Sequence, residues 1–100
     1  MQFVVIARDG TDEQALERRM KAREAHLANV GNLKGPEKML MGGAMLDESG
    51  KMAGSVMVFD FPDRARLEAW LKNDPYSTGG VWRAMEIKPF RVAVQNPVPS

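Results

Sequence analysis

Cysteine is absent from this 100-residue chain. That absence excludes disulfides, thiolate metal sites and cysteine nucleophiles together, and it fits a reducing compartment such as the cytoplasm, the location expected here. Histidine occurs once, at His26, so no histidine pair at ligand spacing exists. The carboxylates are scattered, and neither a metal site nor another cofactor is expected. Charge of one sign is lacking too: 14 Lys+Arg against 13 Asp+Glu leave a formal net charge of +1, with the basic residues dispersed among acids. Such a balance does not indicate nucleic acid as a partner. Long apolar runs are missing as well. The stretch from Phe3 to Ala7 has no basic segment before it and no small-residue cleavage site after it, so neither a signal peptide nor a membrane span is expected.

Hydrophobic residues make up 44% of the chain, enough for one core and one domain. We place that domain over residues 1–95, with a flexible Pro-containing tail over 96–100. Gln2 to Arg8, rich in β-branched residues and closed by Asp9-Gly10, reads as a strand ending in a turn. Thr11 and Gln14 have the spacing of a capping box, which predicts a helix start. Leu16, Met20, Arg23, Leu27 and Val30 recur at three- and four-residue steps, a stripe expected to face the core until Gly31 stops the helix. Met39 to Leu46 and Met52 to Phe61, joined by Asp47 to Lys51, read as a hairpin.

A second helix opens at Pro62-Asp63, buries Leu67, Trp70 and Leu71, and ends at Asp74-Pro75, where the residue before proline is pushed out of the helical region. In the last strand strict alternation puts Val81, Arg83, Met85 and Ile87 on one side and Trp82, Ala84, Glu86 and Lys88 on the other. Pro89 marks that strand as bent or at an edge.

The element order is thus βαββαβ, an α+β fold of ferredoxin-like type: a four-stranded antiparallel sheet with two helices on one face. Phe3 to Ile6 and Val56 to Phe59 are apolar on both parities, so the other face also needs a cover. The most economical cover is the same face of a second copy, which predicts a face-to-face homodimer.

Taken alone, a helical histidine is most often a boundary residue bonding a nearby carbonyl, and Asp before proline is most often a turn former. Both helices of this fold lie on one side of the sheet, however, so Asp74 can reach His26. A carboxylate accepting from one ring nitrogen would fix the tautomer and leave the other nitrogen free for proton transfer. Arg19 or Arg23 could then hold an anionic group of a substrate, and Tyr76 and Trp82 could wall the pocket, although buried packing is the default for aromatic rings. Ser55 lacks any nucleophile-elbow setting and reads as a hydrogen-bonding strand residue.

The segments Arg23-Glu24-Ala25-His26-Leu27, Gly54-Ser55-Val56, Asp74-Pro75-Tyr76 with Gly80-Val81, and Ile87-Lys88-Pro89-Phe90 together resemble the YCII-related, YciI-like family. The resemblance runs from Met1 to about Val94. It implies a dimeric α/β barrel of ferredoxin-like subunits and a His and Asp pair in a small cleft; one characterised branch removes chloride from a chlorinated hydroxyquinol. Carried over by position, His26 and Asp74 would be the catalytic pair, Ser55 a nearby polar group and Arg23 the basic position before the histidine. The chain departs from the family pattern at Gly43-Ala44, where relatives often have Gly-Pro, and in the loop Asn32 to Lys38, so substrate identity is not carried over. Two functions are therefore expected as alternatives. One is a cofactor-independent lyase or isomerase acting on a small cyclic or aromatic oxygenated compound. The other is a dimeric module that binds a small ligand, or regulates, without chemistry.

Overall fold

The computed structural model describes residues 1–96; from residue 97 on, the expected tail lies outside the described residues. The chain forms β1 (Gln2–Asp9), α1 (Ala15–Gly31), β2 (Lys38–Leu46), β3 (Met52–Asp60), α2 (Arg64–Asn73), the short α3 (Pro75–Thr78) and β4 (Trp82–Phe90). The strands make one sheet in the order β2-β3-β1-β4, and every neighbouring pair is antiparallel. This is the ferredoxin-like α+β arrangement, with one addition that propensity did not reveal, the single turn of α3.

Alternation along the central strands builds the core. Phe3, Val5 and Ala7 of β1 are buried, and their register partners Phe59, Met57 and Ser55 on β3 are buried with them. Phe61, Leu67 and Leu71 close one end of this layer, and Tyr76, Val81 and Trp82 the other. Asp63 caps α2 by accepting from the backbone of Arg66 at 2.8 Å, as a Pro-Asp start predicts. β4 is an edge strand and runs through Pro89 to Phe90, where a residue without an N–H is tolerated.

Three local expectations are corrected. The Thr11–Gln14 capping box does not form: the N-cap of α1 makes no side-chain bond, and Asp12 organises the turn instead. Its carboxylate accepts from the Gln14 backbone at 3.3 Å and from both ends of the Arg18 guanidinium at 2.9 and 2.6 Å, a charge-assisted fork that a neutral box cannot match.

The buried row of α1 also lies one residue before the expected stripe. Arg19 and His26 are its buried residues, with Ala22 packed beside them, whereas Met20 and Leu27 remain 53% and 49% exposed. The polar row goes inward because each of its long side chains meets a carboxylate there.

In β4 the expected alternation fails at one point: Arg8 pairs with Ala84, but Asp9 pairs with Trp82. Arg83 is the extra residue of a bulge, which turns Trp82 onto the same face as Met85 and Ile87.

Candidate active site

Asp74 sits where α2 stops and α3 starts. Pro75 forces it into an extended conformation, φ −66° and ψ 144°, and its Oδ2 accepts from the Tyr76 backbone at 2.9 Å. The turn-former reading and the pairing reading are thus both realised in one residue. The same Oδ2 accepts from His26 Nδ1 at 2.7 Å, and Oδ1 accepts from Asn29 Nδ2 at 2.8 Å. Asp74 is wholly buried, and three donors compensate its carboxylate.

Asn29 escaped the sequence reading. It lies three residues after His26 on the same helix, where i and i+3 side chains share a face, and that spacing was the available signal.

The His26 ring lies flat on Tyr76, with centroids 4.0 Å apart and planes at 14°, and meets the edge of Trp82 at 5.7 Å. The Arg19 guanidinium also approaches the Tyr76 ring, at 4.7 Å from its centroid. Arg19 and His26 are two helical turns apart, about 10.5 Å along the axis, so the tyrosine ring is held between them. Burial raises the Tyr76 phenol above its ordinary value and keeps it protonated at neutral pH.

A second buried network adjoins the first. Arg19 Nη1 donates to both oxygens of Asp9, at 3.0 and 3.1 Å, and Nη2 donates to Ser55 Oγ at 2.9 Å. Trp82 Nε1 donates to the same Oγ at 3.2 Å. Burial pushes the Asp9 carboxyl up, the Arg19 charge offsetting only part of that desolvation. The sequence does not single out Asp9, and Trp82 reads there only as a pocket wall with aromatic packing as its default. Asp9 reads locally as a turn residue, and only the Arg83 bulge carries Trp82 to this side.

His26, Ser55, Tyr76, Arg19 and Arg23 line one cleft of about 180 Å³. Its apolar walls are Leu27, Val30, Met39, Met52 and Met57. The cleft exists because β2 offers little beyond the Met39 side chain there: Gly42 lies opposite Met57 and Ala44 opposite Ser55. The exposed row of α1 thus looks across a gap, not onto a core.

Of the six residues expected at the site, five line the cleft and Asp74 stands directly behind His26. Arg19 is already engaged by Asp9 and Ser55, so the exposed Arg23 is the arginine of this wall that faces solvent. Among the described residues no three His, Asp or Glu side chains converge as a metal site would require, and no helix is long and apolar enough to cross a membrane.

A four-stranded antiparallel sheet backed by helices, with a buried His–Asp pair at the wall of a small cleft, defines a ferredoxin-like protein with a compact polar site. The chain belongs to the family of the YCII-related domain, whose model matches residues 1–91. It is similar to Protein YciI of Escherichia coli O6:H1, with 33% identity over 97 residues, covering 91% of this chain and 97% of that protein. Among solved structures it is similar to 5-chloro-2-hydroxyhydroquinone dehydrochlorinase (TftG) from Burkholderia phenoliruptrix AC1100, in complex with 2,5-dihydroxybenzoquinone. The TM-score is 0.77 at 23% identity, over 91% of this chain and 94% of that one. A dimeric ferredoxin-like protein of unknown function from Jannaschia sp. CCS1 matches with a TM-score of 0.55 at 17% identity, over 91% and 98%.

Proposed function

We propose that this protein is a cofactor-independent lyase or isomerase that moves a proton on a small, planar, oxygenated ring compound held in the cleft. The observation that carries the reading is the His26–Asp74 bond of 2.7 Å. Asp74 accepts, so in the neutral ring Nδ1 carries the hydrogen and Nε2, which has no protein partner among the described residues, is the acceptor at the cleft wall. Tyr76 and Trp82 hold the ring in plane, and Asn29 holds the carboxylate.

In an elimination the ring first takes a keto form, in which the proton of one hydroxyl has moved to the carbon that bears the leaving group; Nε2 then takes the proton of a second hydroxyl as the bond to the leaving group breaks. The leaving group departs with its electron pair, and the ring is left as a quinone. In an isomerisation the same nitrogen returns the proton to another atom.

The cleft's volume of about 180 Å³ suits a single ring, since a cavity of about 150 Å³ admits benzene. Its lining of methionine, leucine and valine favours a flat apolar body, and Arg23 at the wall favours an anionic group on it. The similarity to a dehydrochlorinase in complex with a dihydroxybenzoquinone supports the same substrate class.

The reading includes a homodimer joined through the sheet face opposite the helices. Val56 and Met41 are 38% and 64% exposed there, Phe90 is 45% exposed, and Val4 and Ile6 are only half-buried. The dimeric state of the Jannaschia protein supports this.

The test is chloride release from 5-chloro-2-hydroxyhydroquinone by the wild type, by His26→Ala and by His26→Gln. Loss of a positioned base should cost about 10²- to 10⁴-fold in rate, with 2,5-dihydroxybenzoquinone still bound. Full turnover in His26→Ala overturns the assignment; quinone binding without turnover in any form leaves a ligand-binding module.

A further inference from the structure

Gly42 has no conformational reason to be glycine. Its φ is not positive, and the extended backbone of an edge strand accepts residues with a Cβ. The space left by its missing side chain is used by a neighbour instead: a Cβ built there would lie 2.5 Å from Sδ of Met39 and 3.7 Å from Cγ of Met57. At Gly43, the next residue, a Cβ would meet nothing within 4 Å.

Leu40 is the extra residue of a bulge, so Met39 and Gly42 are successive residues on the cleft face of β2, opposite Phe59 and Met57 of β3. The Met39 side chain thus runs along its own strand and rests its sulfur on the bare backbone of Gly42. Phe59 and Met57, 0% and 2% exposed, close the core side. Met39 itself lines the cleft, so the room open to its side chain away from the glycine is the cleft.

We propose that Gly42 is a seat for the Met39 thioether, and that the pair sets the size of ring the cleft accepts. Seated, the side chain leaves room for one ring; unseated, it occupies that room. Met39 is the specificity-determining residue and Gly42 positions it. The inference rests on the reading of the cleft as the site of an oxygenated ring, and it narrows that class to unfused rings. The cleft's volume of about 180 Å³ barely exceeds the roughly 150 Å³ that admits benzene, so a fused second ring meets the thioether. A single ring presents its edge to the sulfur, a contact that a polarisable thioether favours.

The test compares, by calorimetry, the affinity of the single-ring probe 2,5-dihydroxybenzoquinone with that of the fused 2-hydroxy-1,4-naphthoquinone. The wild type should prefer the single ring. Gly42→Ala should keep its melting temperature, because the displaced atom belongs to a flexible, unbranched chain. It should nevertheless weaken binding of the probe about tenfold, since one methylene in an apolar pocket discriminates by about 10- to 200-fold. Met39→Ala should strengthen binding of the naphthoquinone by a similar factor. Combining the two changes should restore the probe, because no sulfur is left to displace. Met39→Val, which ends one bond short of the sulfur and suits a strand, is measured beside Met39→Ala in both backgrounds, so the outcome does not depend on one variant folding.

The seat alone is overturned if the wild type binds the probe and a folded Gly42→Ala binds it equally well, if shortening Met39 brings no recovery, or if the wild type prefers the fused ring. A wild type that binds neither quinone overturns the reading of the cleft, and the size selection with it.

Discussion

Arg19 brings a full charge to a place where its side chain is 4% exposed, opposite an Asp9 side chain that is 2% exposed. A buried ion pair of this kind is weak evidence for stability, but removing one member leaves an uncompensated charge. Asp9→Ala should therefore cost about 3–5 kcal/mol in urea unfolding, whereas the double change Asp9→Ala, Arg19→Leu should recover most of that loss. If the double variant is no more stable than the single one, Arg19 is not held by Asp9 in the way described.

The pH dependence has a definite sign. Asp9 has its folded carboxyl raised above the ordinary 3.8, so the native state keeps that proton to higher pH than the unfolded chain. Its favourable contribution is complete below the ordinary value and is lost as pH rises through the folded one. Asp12, bonded by Arg18, has its carboxyl lowered; its contribution is present above the ordinary value and fades as pH falls. Replacing Asp9 with Asn should accordingly flatten the decline of stability above about pH 4, read by denaturant melts across pH. An unchanged slope contradicts the burial argument.

At the scale of elements, β2 decides whether there is a site. Ala44 is exposed and faces the cleft from the strand that carries Gly42 and Gly43. Ala44→Leu should fill the gap between α1 and the sheet and abolish binding of the quinone probe. The melting temperature should scarcely move, because an exposed substitution away from the core usually stays within about 0.5 kcal/mol. Gly54 behaves differently: a Cβ there would lie 2.6 Å from the Ala7 carbonyl oxygen. Gly54→Ala should loosen the pairing of β1 with β3 and lower the melting temperature. A variant as stable as the wild type would refute that close approach.

The elements themselves were largely legible, since apolar runs, Asp-Gly and Pro-Asp signals mark them locally. Which row of α1 turns inward was not, because Leu16, Met20 and Leu27 make the more apolar stripe. The buried row is chosen by Asp9 and Asp74, which stand 10 and 48 residues away from their partners in the chain.

At the scale of the molecule, the helix-covered face carries the cleft and the open sheet face carries the apolar residues assigned to the dimer. The two roles should therefore separate. Val56→Lys places like charges against each other across a two-fold interface and should give monomers in sedimentation equilibrium, while quinone binding at the opposite face survives. A monomeric wild type at micromolar concentration overturns the interface.

The sequence by itself determined the βαββαβ order and the family, because each follows from local pattern or from motif; spacing left His26 and Asp74 as ordinary residues, only the resemblance implied their pairing, and the 2.7 Å bond shows it. Only the tertiary structure decided the rest of the site. Ser55 is 36 residues from Arg19 and 27 from Trp82, and no periodicity joins them. Their meeting depends on the register of β3 and β4 against β1 and on a one-residue bulge at Arg83. These are matters of register and packing, in which a side chain's face is set by its partner strand and not by its neighbours in sequence.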